Sequence, residues 1–351
     1  MENVVVSRNV QLNILWANIE TSLGGRYNRP MDGKIIYLCA VCGKPLTRPH
    51  SYGGRTFCDF HISAFYEDLP EFWRVTAITF GIGIVVVTVL ALSNIIAPPN
   101  IGTTARIVTG IGVCCVIPAT WILLWYRLQS SKNTELSSFF LVVIIIGVLF
   151  AAAVTHPLSL SVFGLEQWFS RTSPTNRFVG SILLNGFFHL FVIYGMVRYF
   201  AWFHPSFTNR SYGVVLTLAA CWGYATTLNI FYVIDHGGLN LLSGSLRLLS
   251  QLCAFVAPSI ILGYFLGMNR FEDLPPYFLA VGLAVSACLN GLLLYAGSEL
   301  NYVGLSLTQN GFSPWPGALV NLLSVLASSI IVSGLLRRQN ALTRARVEMG
   351  I

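Results

Sequence analysis

Two pairs of potential metal ligands lie close together near the start of the chain. Cys39 and Cys42 are separated by two residues, and Cys58 and His61 repeat this spacing after fifteen intervening residues. Such spacing is typical of structural zinc sites. Three thiolates and one neutral imidazole fill all four positions of a tetrahedral ion. We therefore predict one structural Zn²⁺ ion, with no position left for a catalytic water.

Two alternatives to this ligand set stay open. A disulfide between two of the cysteines would also explain the spacing, although a reducing cytosol disfavours it. His50 could also replace His61 as the fourth ligand.

The residues around these ligands predict a small α+β module over about 36–72. Gly43-Lys44-Pro45 is typical of a zinc knuckle, residues 53–57 suit a hairpin strand, and the residues after Cys58 suit a short helix. The pattern resembles a treble-clef or zinc-ribbon module. So few residues build little core of their own, so the metal would stabilise the fold. The segment 66–71 is acidic, and we expect a cytosolic or membrane protein partner rather than nucleic acid.

The rest of the chain has the composition of a membrane protein. Of its 351 residues, 54% are hydrophobic and 10% are charged, whereas soluble domains carry about 25% charged residues. A lipid bilayer must therefore surround most of the chain, and a crossing needs about 20 apolar residues. We predict eight transmembrane helices, at about 75–97, 105–126, 137–155, 178–199, 213–234, 246–268, 277–297 and 316–336. Residues 156–177 could be re-entrant or lie at the membrane surface.

The predicted fold class is an all-α polytopic membrane protein with a zinc-stabilised α+β module at its N-terminal end. The predicted divisions are a cytosolic region at 1–72, a transmembrane domain at 73–336 and a basic cytosolic tail at 337–351. No signal peptide is expected, because the first 38 residues lack a basic stretch followed by an apolar run.

The basic residues between the predicted helices indicate the orientation. Ten lie on the side of the termini: Arg74, Arg127, Lys132, Arg198, Arg210, Arg270, Arg337, Arg338, Arg344 and Arg346. Four lie on the opposite side: Arg106, Arg171, Arg177 and Arg247. Because cytoplasmic loops are enriched in Lys and Arg, we predict a multi-pass protein of the cell's inner (plasma) membrane with both termini in the cytoplasm.

Polar residues inside the predicted helices are candidates for a membrane site, because they are costly in hydrocarbon. Asn185 and His189 lie one turn apart in the fourth helix, Asn229 lies in the fifth, and Ser286 and Asn290 share a face of the seventh. The asparagines and serine could simply form hydrogen bonds between helices. No predicted helix has Asp or Glu at its centre, and the motif His-Glu-x-x-His is absent.

Two motifs in the second half of the chain resemble those of PrsW-type intramembrane metalloproteases. Gly223–Tyr232 reads Gly-Tyr-Ala-Thr-Thr-Leu-Asn-Ile-Phe-Tyr, similar to the family's Gly-Phe-Ala-x-x-Glu-Asn-x-x-Tyr, and Gly263–Gly267 is like its Gly-Tyr-x-x-Gly helix end. The resemblance implies a PrsW-like core over about 178–297.

The catalytic motifs of that family do not carry over. In place of Glu-Glu-x-x-Lys the chain has Asn185-Gly-Phe-Phe-His189, and Leu228 replaces the Glu before Asn229. Phe255 stands at about the position of a family histidine, and Ser286 stands four residues before Asn290 where the family has His. We therefore predict a non-catalytic member of the fold with a vestigial cavity, whose zinc module binds or senses a partner.

Two other functions remain open. An active intramembrane metalloprotease could use another set of residues, such as His189, Asp235 and His236. A transporter of small molecules or lipids could use broken helices at its glycines. These lie at 81, 83, 110, 112, 263 and 267, although no inverted repeat is visible.

Overall fold

Long helices make up most of the protein. The computed structural model describes residues 28–31, 34–52, 55–64, 72–96, 102–129, 134–159, 171–204, 206–238, 243–300 and 315–348. The helices are α1 (Asp59–Ala64), α2 (Phe72–Ile96), α3 (Thr103–Gln129), α4 (Thr134–Phe150), α5 (Pro174–Gly180), α6 (Phe187–Met196), α7 (Arg210–Asp235), α8 (Ser243–Phe271), α9 (Tyr277–Leu300) and α10 (Trp315–Glu348). π-Helical turns continue α4 (Ala151–Thr155), join α5 to α6 (Ser181–Gly186) and extend α6 (Val197–Ala201).

Four short strands precede the long helices and form two antiparallel hairpins. β1 (Asn28–Met31) pairs with β2 (Lys34–Tyr37), and β3 (His50–Tyr52) pairs with β4 (Arg55–Phe57). The β3–β4 hairpin and the short helix α1 lie where the sequence predicts a hairpin strand and a helix. The β1–β2 hairpin was not predicted, although Asp32-Gly33 between two alternating segments is a strong hairpin signal.

The helices confirm the predicted multi-pass membrane fold. Within the described residues, seven helices are long and apolar enough to cross a bilayer. The third predicted helix, at 137–155, is a shorter apolar helix, Phe139–Thr155. Seventeen residues of α-helix would rise only about 26 Å, slightly less than the roughly 30 Å hydrocarbon core. Helical structure continues to residue 159 and adds the missing length. Of the uncertain segment 156–177, residues 160–170 lie outside the described part.

Helices α7 and α8 form the centre of the bundle. In their most apolar stretches, 83% and 78% of residues are buried, against 33–39% in the other long helices. The outer helices expose apolar side chains such as Val85, Leu123 and Ile330, which is the pattern expected where lipid is the solvent. The core therefore lies around α7 and α8, with α4, α9 and α10 packed against them.

Glycines bring the helix backbones into direct contact at the centre. A Cβ atom on Gly213 of α7 would meet the backbone of Gly263 and Gly267 in α8, and one on Gly267 would meet the carbonyl of Arg210. Small residues allow such close approach in membranes, where packing drives helix association. Gly263 and Gly267 therefore serve packing within an unbroken helix. The other four glycines considered for a transporter also lie inside the continuous helices α2 and α3, so the expected broken helices are not found there.

We predict that Gly267→Ala destabilises the bundle by about 1–3 kcal/mol, because the added methyl group overpacks the α7–α8 crossing. Thermal unfolding in detergent measures the effect. Gly334→Ala in α10 is the matched control, since nothing lies within 4 Å of its added Cβ. Equal stability of the two variants would contradict the close crossing.

Candidate functional site

The first ligand pair lies in a tight turn after β2. Gly43 adopts a positive φ of 68°, and its amide donates to the carbonyl of Cys39 at 2.8 Å. The amide of Cys39 in turn donates to the carbonyl of Lys44 at 2.9 Å. This turn is the knuckle that the sequence predicts, and it brings Cys39 and Cys42 to one side of the chain.

The second ligand pair lies where β4 passes into α1. The amide of Ile62 donates to the carbonyl of Cys58 at 2.9 Å, so α1 starts directly after this cysteine. The two halves of the module are joined because the amide of Ala40 donates to the carbonyl of Thr56 at 2.8 Å, and the Thr56 hydroxyl donates to Leu38 at 2.7 Å.

These elements gather Cys39, Cys42, Cys58 and His61 into one cluster that could hold a metal ion. Their ligand atoms all lie within 4.8 Å of one another. The Nδ1 atom of His61 is 3.0 Å from the Cys58 sulfur and 3.5 Å from the Cys39 sulfur. Ligands of a tetrahedral ion with metal–sulfur bonds of about 2.3 Å lie about 3.8 Å apart. The cysteines are free thiols, which excludes the disulfide alternative in this structure.

The structure also separates the two candidate histidines. The Nε2 atom of His50 lies 2.5 Å from the Oδ1 atom of Asp59, outside the cluster. His61 is buried, and its pKa is lowered mainly by burial and further by the positive charges of Arg270 and Lys44. A lowered pKa keeps the imidazole neutral, which is the form that binds a metal ion.

Of the polar residues predicted within the membrane, His189 has the best-defined contacts, which are with side chains of α7 and α8. It is buried on α6, and its Nδ1 atom is hydrogen-bonded to the hydroxyl of Tyr224 on α7 at 2.5 Å. The ring of Phe255 on α8 stands edge-on to His189, with ring centroids 5.1 Å apart. Tyr224 was not singled out from the sequence, although it lies inside the PrsW-like motif at Gly223–Tyr232.

The other four predicted residues are distributed over the same bundle. Asn185 is half-buried at the end of the π-helical turn before α6. Asn229 donates through Nδ2 to the carbonyl of Leu248 at 3.3 Å, which is a bond between α7 and α8. Ser286 and Asn290 are fully buried on α9, the helix that packs against α6 and the turn before it.

The alternative catalytic set of His189, Asp235 and His236 is not assembled. Asp235 ends α7, eleven residues beyond Tyr224, and its carboxylate lies 4.0 Å from His156. His236 is exposed, and its Nδ1 atom is bonded to the carbonyl of Tyr232 at 2.9 Å. His156, which was not predicted as a site residue, stacks on Phe231 with centroids 3.9 Å apart. Asp235, His236 and His156 therefore lie at one end of the bundle, away from His189.

Comparison with known proteins supports the PrsW-like resemblance. The chain is 25% identical over 158 residues to Protease PrsW of Halalkalibacterium halodurans, covering 45% of this chain and 69% of that protein. It is 27% identical over 157 residues to Protease PrsW of Geobacillus kaustophilus, covering 44% of this chain and 65% of that protein. No family model matches the chain, and no solved structure matches it. The chain is a multi-pass membrane protein that is similar to two PrsW proteases over less than half of its length.

We predict that Tyr224→Phe destabilises the protein by about 1–3 kcal/mol, because it leaves a buried imidazole nitrogen without its partner. Chemical denaturation in detergent measures this loss. Tyr277→Phe, at a side chain that is 67% exposed, is the control and should change stability by less than about 0.5 kcal/mol.

The double variant His189→Phe/Tyr224→Phe should lose less stability than the sum of the two single variants, since it removes both polar partners. Strict additivity would show that the two side chains do not interact.

Proposed function

We propose that this chain is a non-catalytic, PrsW-like membrane protein whose cytosolic module is stabilised by one structural zinc ion. The observation that carries the proposal is the chemistry around His189. A metalloprotease needs several carboxylates or imidazoles converging on one ion and its water. The ring neighbours of His189 within the described residues are Phe188, Tyr224 and Phe255. In the part of the chain that the structure describes, the one group of three or more His, Cys, Asp or Glu side chains that could hold a metal ion is Cys39, Cys42, Cys58 and His61. His189 does not belong to it.

The thiolate cluster, by contrast, fits a zinc ion. Its donors are three sulfurs and one imidazole kept neutral by its surroundings, and their spacing suits a tetrahedral ion. When bound there, zinc would supply a covalent-like cross-link between the knuckle and α1. With all four positions filled by protein, no open position remains for water, and the role is structural.

We further propose that the module presents a surface to a protein partner, while the membrane domain binds lipid or a transmembrane helix. On α1, the side chain of Phe60 is 69% exposed beside the ligand His61. An exposed aromatic ring is the kind of residue that anchors protein interfaces.

The second candidate function is an active intramembrane protease. It is favoured by the names of the two relatives, each a Protease PrsW. Cleavage of a membrane-protein substrate that is abolished by His189→Ala would establish this function and overturn the non-catalytic proposal.

We predict that purified protein contains one zinc ion per chain and that Cys39→Ser/Cys42→Ser removes it completely. Mass spectrometry of the metal content measures the outcome. Cys288→Ser, at an exposed cysteine of α9, is the control and should keep the zinc. Because the double variant could fail to fold, thiol modification of wild-type protein with release of zinc to a coloured chelator provides a second measurement.

Zinc that persists in the double variant and disappears in His189→Ala would place a metal in the membrane site and support the protease instead. Wild-type protein without zinc would remove the basis of the structural site.

We also propose that the module and the end of α10 face the cytoplasm. Arg55 of β4 donates to the carbonyl of Arg270, and Arg210 donates to Thr343 of α10 at 3.0 Å. Arg210 and Arg270 belong to the ten basic residues that the predicted topology puts on the side of the termini. The positive-inside rule assigns that side to the cytoplasm.

Fusions at the C-terminus test this orientation. A green fluorescent protein fused there should fluoresce, and an alkaline phosphatase fused there should be inactive, because the phosphatase folds only outside the reducing cytoplasm. The reverse pattern would invert the proposed topology.

A further inference from the structure

The zinc-binding module lies against the bundle and is anchored there. The guanidinium of Arg55 on β4 donates to the backbone carbonyl of Arg270 at the end of α8. Phe57 precedes the ligand Cys58 and is 0% exposed, and Ile62 follows the ligand His61 and is 6% exposed. Both belong to the same continuous apolar cluster as the helix core.

The side chain of Arg270 reaches from this contact into the bundle. Its Nε atom donates to the carbonyl of Phe207 at 3.2 Å, and its guanidinium lies 4.8 Å from the centroid of the Phe207 ring. Arg270 is 7% exposed. The residue that receives the module therefore also fastens the end of α8 to the segment that leads into α7.

An ion pair between a buried arginine and a partly exposed glutamate completes the connection two residues later. Glu272 lies 3.0 Å from the guanidinium of Arg210, whose side chain is 0% exposed. Arg210 also donates to the Thr343 hydroxyl at 3.0 Å, and Thr343 is itself fully buried. Arg210, at the start of α7, thus joins the end of α8 to the last turns of α10.

We propose that these five residues, Arg55, Arg210, Arg270, Glu272 and Thr343, form a junction that couples metal binding in the module to the packing of α7, α8 and α10. The inference rests on the proposed zinc site and adds a regulatory consequence to it. A metal bound by the cluster orders β4 and α1, the two elements that contact the bundle. The junction then transmits that order to three helix ends.

Electrostatic attraction predicts the direction of the coupling, which is that metal binding strengthens the contact between the module and the junction. Two positive charges of zinc against three thiolates leave one net negative charge in the filled cluster. Arg55 and Arg270 are both positively charged, and Arg55 donates to the backbone carbonyl of Arg270 where the module meets the bundle. Because zinc also displaces the protons of the three thiols, filling the cluster makes it more negative by one charge and strengthens the attraction to these two guanidinium groups. Because coupling between two sites is reciprocal, weakening the junction must weaken metal binding by the same factor.

Hydrogen exchange of the full-length protein tests transmission from the metal to the helices. Removing zinc with a chelator should speed exchange by about tenfold at 207–213, 268–272 and 340–345, since such a contact involving a charged group contributes about that factor. Exchange at 230–235, at the opposite end of α7, should stay unchanged. Adding zinc back should restore the slow exchange.

Retention of zinc against the same chelator tests the reverse direction. Glu272→Gln should weaken zinc retention by about tenfold. Glu299→Gln is the matched control, since Glu299 pairs with Arg177 at 3.5 Å outside the junction and should leave retention unchanged.

Arg55→Ala tests the contact itself without removing a metal ligand. It should hold one zinc ion and yet show the fast exchange of the zinc-free protein at 268–272, whereas Arg48→Ala, at an exposed residue of the same module, should behave as wild type.

These measurements separate the two proposals. If wild-type protein binds zinc, but chelation leaves exchange at the three helix ends unchanged, the junction does not couple and only this inference fails. Equal zinc retention in Glu272→Gln and Glu299→Gln would have the same meaning. If wild-type protein holds no zinc, the proposed function and the inference built on it both fail.

Discussion

The close crossing of α7 and α8 is the contact on which the rest of the structure depends. Gly213, Gly263 and Gly267 allow the two backbones to touch, and this brings the carbonyl of Arg210 against Gly267. The start of α7 and the end of α8 therefore lie side by side, close enough for Arg210 to pair with Glu272. A larger residue at any of these glycines would separate the helix ends that hold the junction together.

The same bundle limits what chemistry its interior can perform. Hydrocarbon does not solvate polar groups, so each buried one must find a partner or be costly. His189 and Tyr224 partner each other, and Asn229 bonds to α8. These bonds hold α6, α7 and α8 in register, a role that requires no ion. His189 and Asn229 lie in the part of the chain that resembles PrsW proteases, and both take part in hydrogen bonds between helices.

Features encoded within a few neighbouring residues were predictable, and those that depend on folding were not. The cluster of Cys39, Cys42, Cys58 and His61 could be predicted because ligand spacing reflects local turn geometry. The long helices could be predicted because hydropathy is read along one segment. Arg210 and Glu272 are separated by a full helix pair, so the sequence presented Arg210 only as a topology signal and did not single out Glu272. The contact between His189 and Tyr224 could not be predicted for the same reason, because the two residues lie on different helices and 35 positions apart.

Because the module is anchored on the bundle, a partner that bound the module could also influence the helices. The two faces of α1 differ in burial. His61 and Ile62 are buried toward the thiolate cluster and the bundle, while Phe60 is exposed. A partner that binds the exposed face contacts the same short helix that carries a metal ligand. A tilt that such a partner imposed on α1 would move His61 relative to the other three residues of the cluster, because the helix is only six residues long. Under the proposed coupling, partner binding, metal binding and helix packing would act on one shared equilibrium, which a flexibly tethered module could not achieve.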